Sequence, residues 1–128
     1  MTNLAQQLLD VMPDAVLMVR EDGRILLANP QAQALFGYRE EHLLNKPIEM
    51  LLPEQVHAAH REHRARFLAA PSTRPMGTGL DLRAKRMGGT EVPVDISVAR
   101  IGSEEGPLVI AVIRDVSEHA RLLAMVRH

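Results

Sequence analysis

The 128-residue sequence predicts an α+β fold in which an antiparallel sheet carries its helices on one face. Two short apolar segments, 15–20 and 24–28, flank a tight turn and predict a β-hairpin. The stretch 54–70 contains no helix breaker and predicts the longest helix. From residue 80 onward apolar positions alternate with polar ones, which is the period of half-buried strands.

Composition narrows the class of protein. The chain has the length of one domain, and its 15 basic and 16 acidic residues are scattered, so neither a nucleic-acid surface nor a polybasic membrane tether is expected. The apolar runs are only strand-length and the first residues are polar, so we expect a cytoplasmic protein. The absence of cysteine excludes disulfides, thiolate metal sites, cysteine catalysis and cysteinyl-flavin chemistry.

The first third of the chain predicts a helix, a hairpin and further short helices. Residues 3–12 place Leu4, Leu8 and Val11 on one helical stripe, which Pro13 ends. After the hairpin, an Asn-Pro pair at 29–30 has the pattern of a helix N-cap, and the glycine at 37 ends that helix. Short helical pieces are expected at 39–44 and 48–52, before the long helix.

The last third predicts three strands and a final helix. Leu80, Leu82 and Ala84 form the apolar side of one strand, and a Gly-Gly turn at 88–89 leads into a second strand over 92–99. Residues 107–113 are apolar on both faces, with Val109, Ala111 and Ile113 expected on the outer face. An Asp-Val-Ser-Glu motif at 115–118 has capping-box spacing and predicts a helix that continues to the last residue.

Several short motifs in this order resemble the PAS family between Pro13 and Glu118. They are Pro13-Asp14-Ala15, Asp22-Gly23-Arg24-Ile25, Asn29-Pro30, Leu35-Phe36-Gly37-Tyr38, Leu51-Leu52-Pro53-Glu54, Arg74-Pro75-Met76-Gly77, Gly89-Thr90-Glu91-Val92-Pro93-Val94 and Ile113-Arg114-Asp115-Val116-Ser117-Glu118. The resemblance implies a five-stranded antiparallel sheet in the order 2-1-5-4-3, with a pocket between the sheet and the long helix. It also implies an N-terminal cap helix at 1–12, a sensory domain at 13–116 and an output helix from 117 to 128.

The family resemblance further implies a role in bacterial signal transduction. PAS domains often dimerise and pass a signal through the C-terminal helix to an effector such as the histidine kinase of a two-component system. Their pockets hold haem, flavin, small acids, fatty acids or nothing, so the fold alone does not select a ligand.

The segment 52–67 is similar to the long helix of haem PAS domains in oxygen-sensing histidine kinases. There a Leu/Met-Pro-Glu motif precedes an axial histidine, and His60 matches that position without a gap. The resemblance therefore suggests His60 as an axial ligand, with basic residues pairing with the haem propionates. The remaining candidates for the pocket are Arg64, Arg66, Phe67, Arg74, Met76, Leu80, Ile96, Val98 and Ile110. The distal arginine of those sensors is replaced here by Leu80, so a different choice of haem ligand is expected.

Other interpretations of the same residues remain open. His60 can be an ordinary residue of a cofactor-free helix, and the loose series His57, His60 and His63 lacks a fourth ligand for zinc. Flavin is less favoured because only three aromatic residues are available to stack on it. An apolar ligand, or simply a filled core, fits the aliphatic lining: Leu35, Leu52, Val56, Leu82, Ile96, Ile110 and Val112.

Catalysis is not expected, because the acidic residues fall at turns and caps and no phosphate-binding glycine loop precedes a helix. A cofactor-free interaction module is the main alternative to a ligand sensor. In either case the apolar stripe of the first helix needs a covering surface, so we expect a homodimer formed through that helix and the outer face of the sheet.

Overall fold

A computed structural model describes residues 4–57, 74–76, 82–102, 104 and 106–117. Helix α1 spans Leu4–Val11, α2 spans Pro30–Phe36 and α3 spans Glu40–Leu43, and two 3-10 helices follow at Ile48–Leu51 and Glu54–Val56. The strands are β1 (Ala15–Arg20), β2 (Ile25–Ala28), β3 (Arg74–Met76), β4 (Arg83–Lys85), β5 (Glu91–Ile101) and β6 (Leu108–Asp115). No helix within the described ranges has the length and apolarity needed to cross a bilayer.

The strands form one antiparallel sheet whose order confirms the predicted arrangement. The order is β2-β1-β6-β5-β3, and β4 also pairs with β5. The short strands β3 and β4 therefore share the fifth and outermost position of the sheet, where β3 lies opposite residues 96–98 and β4 opposite residues 91–93 of β5. The two longest strands, β5 and β6, are neighbours in the sheet, and residues 94–101 of β5 form eight pairs with β6.

Strand β3 was not predicted as a strand. It has three residues, with Pro75 in the middle, so it shows no alternating pattern. Proline is tolerated there because β3 lies at the edge of the sheet, where one row of its backbone groups has no strand partner among the described residues. The predicted strand from residue 80 is described only from Leu82 onward, with strand pairing from Arg83; Leu80 lies outside the described residues.

Local sequence signals fix α2 as predicted. The Asn29 side chain accepts a hydrogen bond from the Ala32 backbone N–H at 3.0 Å, and Pro30 occupies the first helical turn. Gly37 ends the helix with φ 80°, a left-handed conformation that glycine adopts without strain. The backbone N–H of Met87 donates to the Phe36 carbonyl at 2.8 Å, so the end of α2 also holds the β4–β5 turn.

The edge of β2 that faces away from β1 forms backbone hydrogen bonds with the segment 45–48. The Ile25 N–H donates to the Lys46 carbonyl at 2.9 Å, and the Ile25 carbonyl accepts from the Asn45 N–H at 2.7 Å. One bond further along, the Ile48 N–H donates to the Gly23 carbonyl at 2.8 Å. These bonds satisfy backbone groups that would otherwise offer a template for another strand.

The two faces of β6 are the reverse of the expectation. Ala111 and Ile113 belong to the core with Leu17, which pairs with Ala111. Because side chains alternate along a strand, Ile110 and Val112 face the opposite side of the sheet. The expectation that Val109, Ala111 and Ile113 form the outer face is therefore wrong, since a strand that is apolar on both sides carries no register signal of its own.

The predicted long helix is described only at its start. A 3-10 turn at Glu54–Val56 leads into His57, which has helical dihedral angles of φ −61° and ψ −46°. Residues 58–73 lie outside the described part of the chain, as do the residues after Ser117 that were predicted to form the output helix.

Candidate functional site

The inner face of the sheet forms an apolar wall. On β5, Val94 is buried, whereas Val92, Ile96 and Val98 are half-buried and pack against the core. Further half-buried apolar side chains contact the same core from the neighbouring elements: Leu35, Tyr38, Leu44, Ile48, Met50 and Leu82. A surface of this chemistry suits an apolar ligand or the flat hydrocarbon face of a cofactor.

Only part of the predicted pocket falls within the described residues. Ile96 and Val98 lie on the inner wall, and the backbone positions of Met76 and Arg74 pair with them across β3 and β5. The remaining candidates on the long helix and beyond it lie outside the described residues: His60, Arg64, Arg66, Phe67 and Leu80. Their contacts with the wall therefore stay predictions.

Ile110 does not belong with the inner wall. It pairs with Met18 on one side and Ala99 on the other, whereas the core residue Ala111 pairs with Leu17 and Val98. The prediction that Ile110 contacts a pocket ligand is therefore wrong by one position along β6, and the same correction applies to Val112.

His57 is held by a local hydrogen bond. Its Nε2 lies 2.8 Å from the Leu52 carbonyl oxygen, to which the ring N–H donates, and its side chain is half-buried. The bond fixes the turn that leads into the predicted long helix. Where the structure describes the chain, no three His, Cys, Asp or Glu side chains meet closely enough to hold a metal ion; His60 and His63 lie outside that part.

Asn29 is the central polar group of the amino-terminal half. It is 1% exposed, and its Oδ1 accepts from the backbone N–H of Val16 at 2.8 Å and of Ala32 at 3.0 Å. Its Nδ2 donates to the carbonyls of Leu9 at 3.1 Å and Asp14 at 3.0 Å. The amide nitrogen thus donates to two carbonyls and the amide oxygen accepts from two backbone N–H groups. All four hydrogen bonds that the amide can form are used, which fixes its orientation.

An ion pair lies next to Asn29, at the end of β6. The Arg114 Nε and Nη2 donate to the two carboxylate oxygens of Asp14 at 3.4 Å and 3.3 Å. The hydrogen bond and then the charge of Asp14 raise the pKa of Arg114 above its ordinary value. The next residue, Asp115, accepts from the backbone N–H of Ser117 at 2.8 Å and from its hydroxyl at 2.5 Å, so it caps the last described turn.

Sequence patterns identified only part of this polar cluster. The N-cap role of Asn29 and the capping role of Asp115 follow from short-range spacing. The other contacts join residues that are 15 to 100 positions apart and meet only after folding. They are the bonds from Asn29 to Leu9 and Asp14 and the ion pair of Asp14 with Arg114. The sequence shows that Asp14 and Arg114 are present, but no pattern in it indicates that their side chains form an ion pair.

A comparison with known protein families identifies the family of this chain. A family model described as the PAS fold matches residues 3–116. The chain belongs to the PAS family. PAS domains are sensory modules, and the relatives of this one include signalling sensors.

Two such relatives are named sensors. Sensor protein FixL of Bradyrhizobium diazoefficiens is 27% identical over 92 residues, which are 72% of this chain and 18% of FixL. Oxygen sensor protein DosP of Escherichia coli is 25% identical over 76 residues, which are 59% of this chain and 10% of DosP. The PAS domain described here thus spans less than a fifth of either sensor.

Solved PAS structures share the fold. The PAS domain of a protein from Desulfitobacterium hafniense superposes with a TM-score of 0.72 at 23% identity, covering 85% of this chain and 98% of that one. The LOV protein of Rhodobacter sphaeroides gives a TM-score of 0.69 at 16% identity, covering 93% and 74%. At such identities the likeness establishes the fold of this PAS domain and leaves its ligand open.

Proposed function

We propose that this PAS domain senses a small ligand or cofactor held between the inner face of its sheet and the segment after Glu54. The signal then passes through the C-terminal segment to an effector such as a histidine kinase. The role is sensory rather than catalytic. The observation that carries the proposal is the apolar inner wall of β5, where Ile96 and Val98 are half-buried beside a fully buried Val94.

Haem is the ligand that we propose to test first. Its apolar faces fit the wall formed by Ile96 and Val98, and the oxygen sensor protein DosP is a relative of this chain. His60 would supply the axial nitrogen, and Arg64, Arg66 or Arg74 would pair with the propionates. When bound, haem supplies an iron centre that binds diatomic gases or changes redox state. Phe67, Met76 and Leu80 would complete the apolar contacts.

The test is the absorption spectrum of the purified chain after incubation with hemin and removal of excess. We expect a sharp Soret band with stoichiometric uptake in the unaltered chain, and loss of that band in His60→Ala. His63→Ala is the matched control, because it removes a histidine one turn further along the same predicted helix and should leave the band unchanged.

Each outcome of the hemin experiment tests one part of the proposal: the role of His60, the binding of haem, or the presence of any ligand. Equal loss of the band in both histidine variants would show non-specific binding and reject His60 as the axial ligand. Absence of any specific band in the unaltered chain would reject haem altogether, and native mass spectrometry of the purified chain would then show whether an apolar molecule copurifies. A chain that carries no molecule would favour the interaction module over the ligand sensor.

A cofactor-free interaction module is the second candidate function, and the surface of α1 favours it. Leu4, Leu8 and Val11 are 70%, 55% and 76% exposed, and they form one apolar stripe. An apolar stripe of this kind is stabilised by burial against a partner surface. The occupant that we propose is a second copy of the chain, which makes the functional unit a homodimer.

A further inference from the structure

A continuous series of polar contacts joins α1 to the end of β6. It begins at the Leu9 carbonyl in the last turns of α1, which accepts from Asn29 Nδ2 at 3.1 Å. The same Nδ2 donates to the Asp14 carbonyl at 3.0 Å, and the Asp14 carboxylate accepts from Arg114. The loop between α1 and β1 is therefore held at its backbone by Asn29 and at its side chain by Arg114.

The far end of this series is the point where the C-terminal segment leaves the sheet. Arg114 precedes Asp115, whose carboxylate caps Ser117. The backbone N–H of Val116 donates to the Pro93 carbonyl at 3.1 Å, which anchors the same turn to β5. A shift of the Ser117 turn that moved the end of β6 would therefore also move the guanidinium away from Asp14.

Most of α1 is exposed to solvent. Leu4, Leu8 and Val11 are exposed, and among the α1 residues whose burial is described Leu9 alone is half-buried. The N-terminal helix therefore depends on the loop that Asn29 and Arg114 fix. An exposed ion pair is weak and easily exchanged with water, which suits a contact that must open and close.

We infer that Asp14 and Arg114 form a releasable clasp through which the docking of α1 and the position of the Ser117 turn are coupled. Coupling of this kind is reciprocal: whatever displaces the Ser117 turn loosens α1, and whatever displaces α1 loosens the turn. The clasp goes beyond the proposed ligand site, because it uses none of the pocket residues and requires no ligand.

The test uses the whole chain and measures the mobility of α1 directly. Because the chain has no cysteine, Gln7→Cys on the exposed side of α1 accepts a single nitroxide label. We expect Arg114→Gln to narrow the electron paramagnetic resonance lines of that label. Amide hydrogen exchange over residues 8–12 should accelerate about two- to fivefold, the range set by an exposed ion pair.

Two controls make the result specific. Arg100→Gln removes an exposed arginine from the neighbouring strand, one that makes no ion pair within the described ranges, and it should leave the label unchanged. The charge-swapped pair Asp14→Arg with Arg114→Asp should restore slow exchange over 8–12. Equal mobility in Arg114→Gln and the unaltered chain, or equal effects of Arg114→Gln and Arg100→Gln, would overturn the clasp. Failure of the swapped pair to restore slow exchange, in a variant with native circular dichroism, would overturn it too.

Discussion

At the scale of single residues, Asn29 shows how one buried amide organises a domain. Side-chain amides are costly to bury unless each donor and acceptor is used, and Asn29 uses all four. Its two accepted bonds start α2 and fix β1, while its two donated bonds fix the end of α1 and the loop before β1. Among the described residues no buried side-chain polar atom lacks a hydrogen-bond partner. Burial of this cluster therefore leaves no polar atom without a hydrogen bond.

Replacement of Asn29 by aspartate tests the donated half of this network. Asn29→Asp keeps the N-cap acceptor but removes the donor, so that a carboxylate oxygen faces two carbonyls. We expect the free energy of unfolding to fall by about 2–3 kcal/mol, as measured by urea denaturation. Asn45→Asp makes the same chemical change at an exposed position and should cost less than about 0.5 kcal/mol. Equal stability of the two variants would show that the bonds to Leu9 and Asp14 contribute nothing.

At the scale of elements, β6 shows how a central strand hides its register. Its burial pattern is buried at 108, 109, 111 and 113 and half-buried at 110 and 112, so both faces are largely covered. The pairing decides the faces: Leu17 opposite Ala111 and Met18 opposite Ile110. Ala111 and Ile113 on the inner face belong to the core cluster, whereas Ile110 and Val112 on the outer face do not.

The same substitution on the two opposite faces of β6 tests this assignment. Ile113→Ala removes a side chain that is 5% exposed and packed in the core, so we expect a loss of about 3 kcal/mol of unfolding free energy. Ile110→Ala removes an equal volume from the half-buried outer face and should cost at most about half as much. Urea denaturation at two protein concentrations separates any contribution from association. A larger loss for Ile110→Ala would reverse the assignment of the faces.

At the scale of the whole molecule, the outer face of the sheet and the stripe of α1 are the two apolar surfaces that a dimer would bury. Four half-buried side chains in register cross the outer face from β2 to β5: Leu27, Met18, Ile110 and Ala99. The sequence argument for a dimer named the wrong residues of β6, but the outer face is apolar with the corrected residues as well.

Charge placed on the α1 stripe tests the proposed dimer. We expect Leu4→Glu combined with Leu8→Glu to lower the sedimentation coefficient from that of a dimer to that of a monomer, because a buried apolar contact would have to hold two carboxylates. Gln6→Glu combined with Gln7→Glu adds the same charge to α1 beside the stripe and should leave the dimer intact. A stable dimer in the Leu4/Leu8 variant would exclude the stripe from the interface.

The amino-acid sequence by itself determined the order of the described elements other than β3, the caps of α2 and the α+β sheet of the PAS family, because these depend on near neighbours and on periodicity. Tertiary structure alone decided the rest: the faces of β6, the edge strand β3, the acceptors of Asn29 and the partner of Arg114. The physical reason is common to all four. Each depends on a pairing between distant segments, and a strand that is apolar on both sides, or a proline-containing edge of three residues, carries no local pattern that selects its partner.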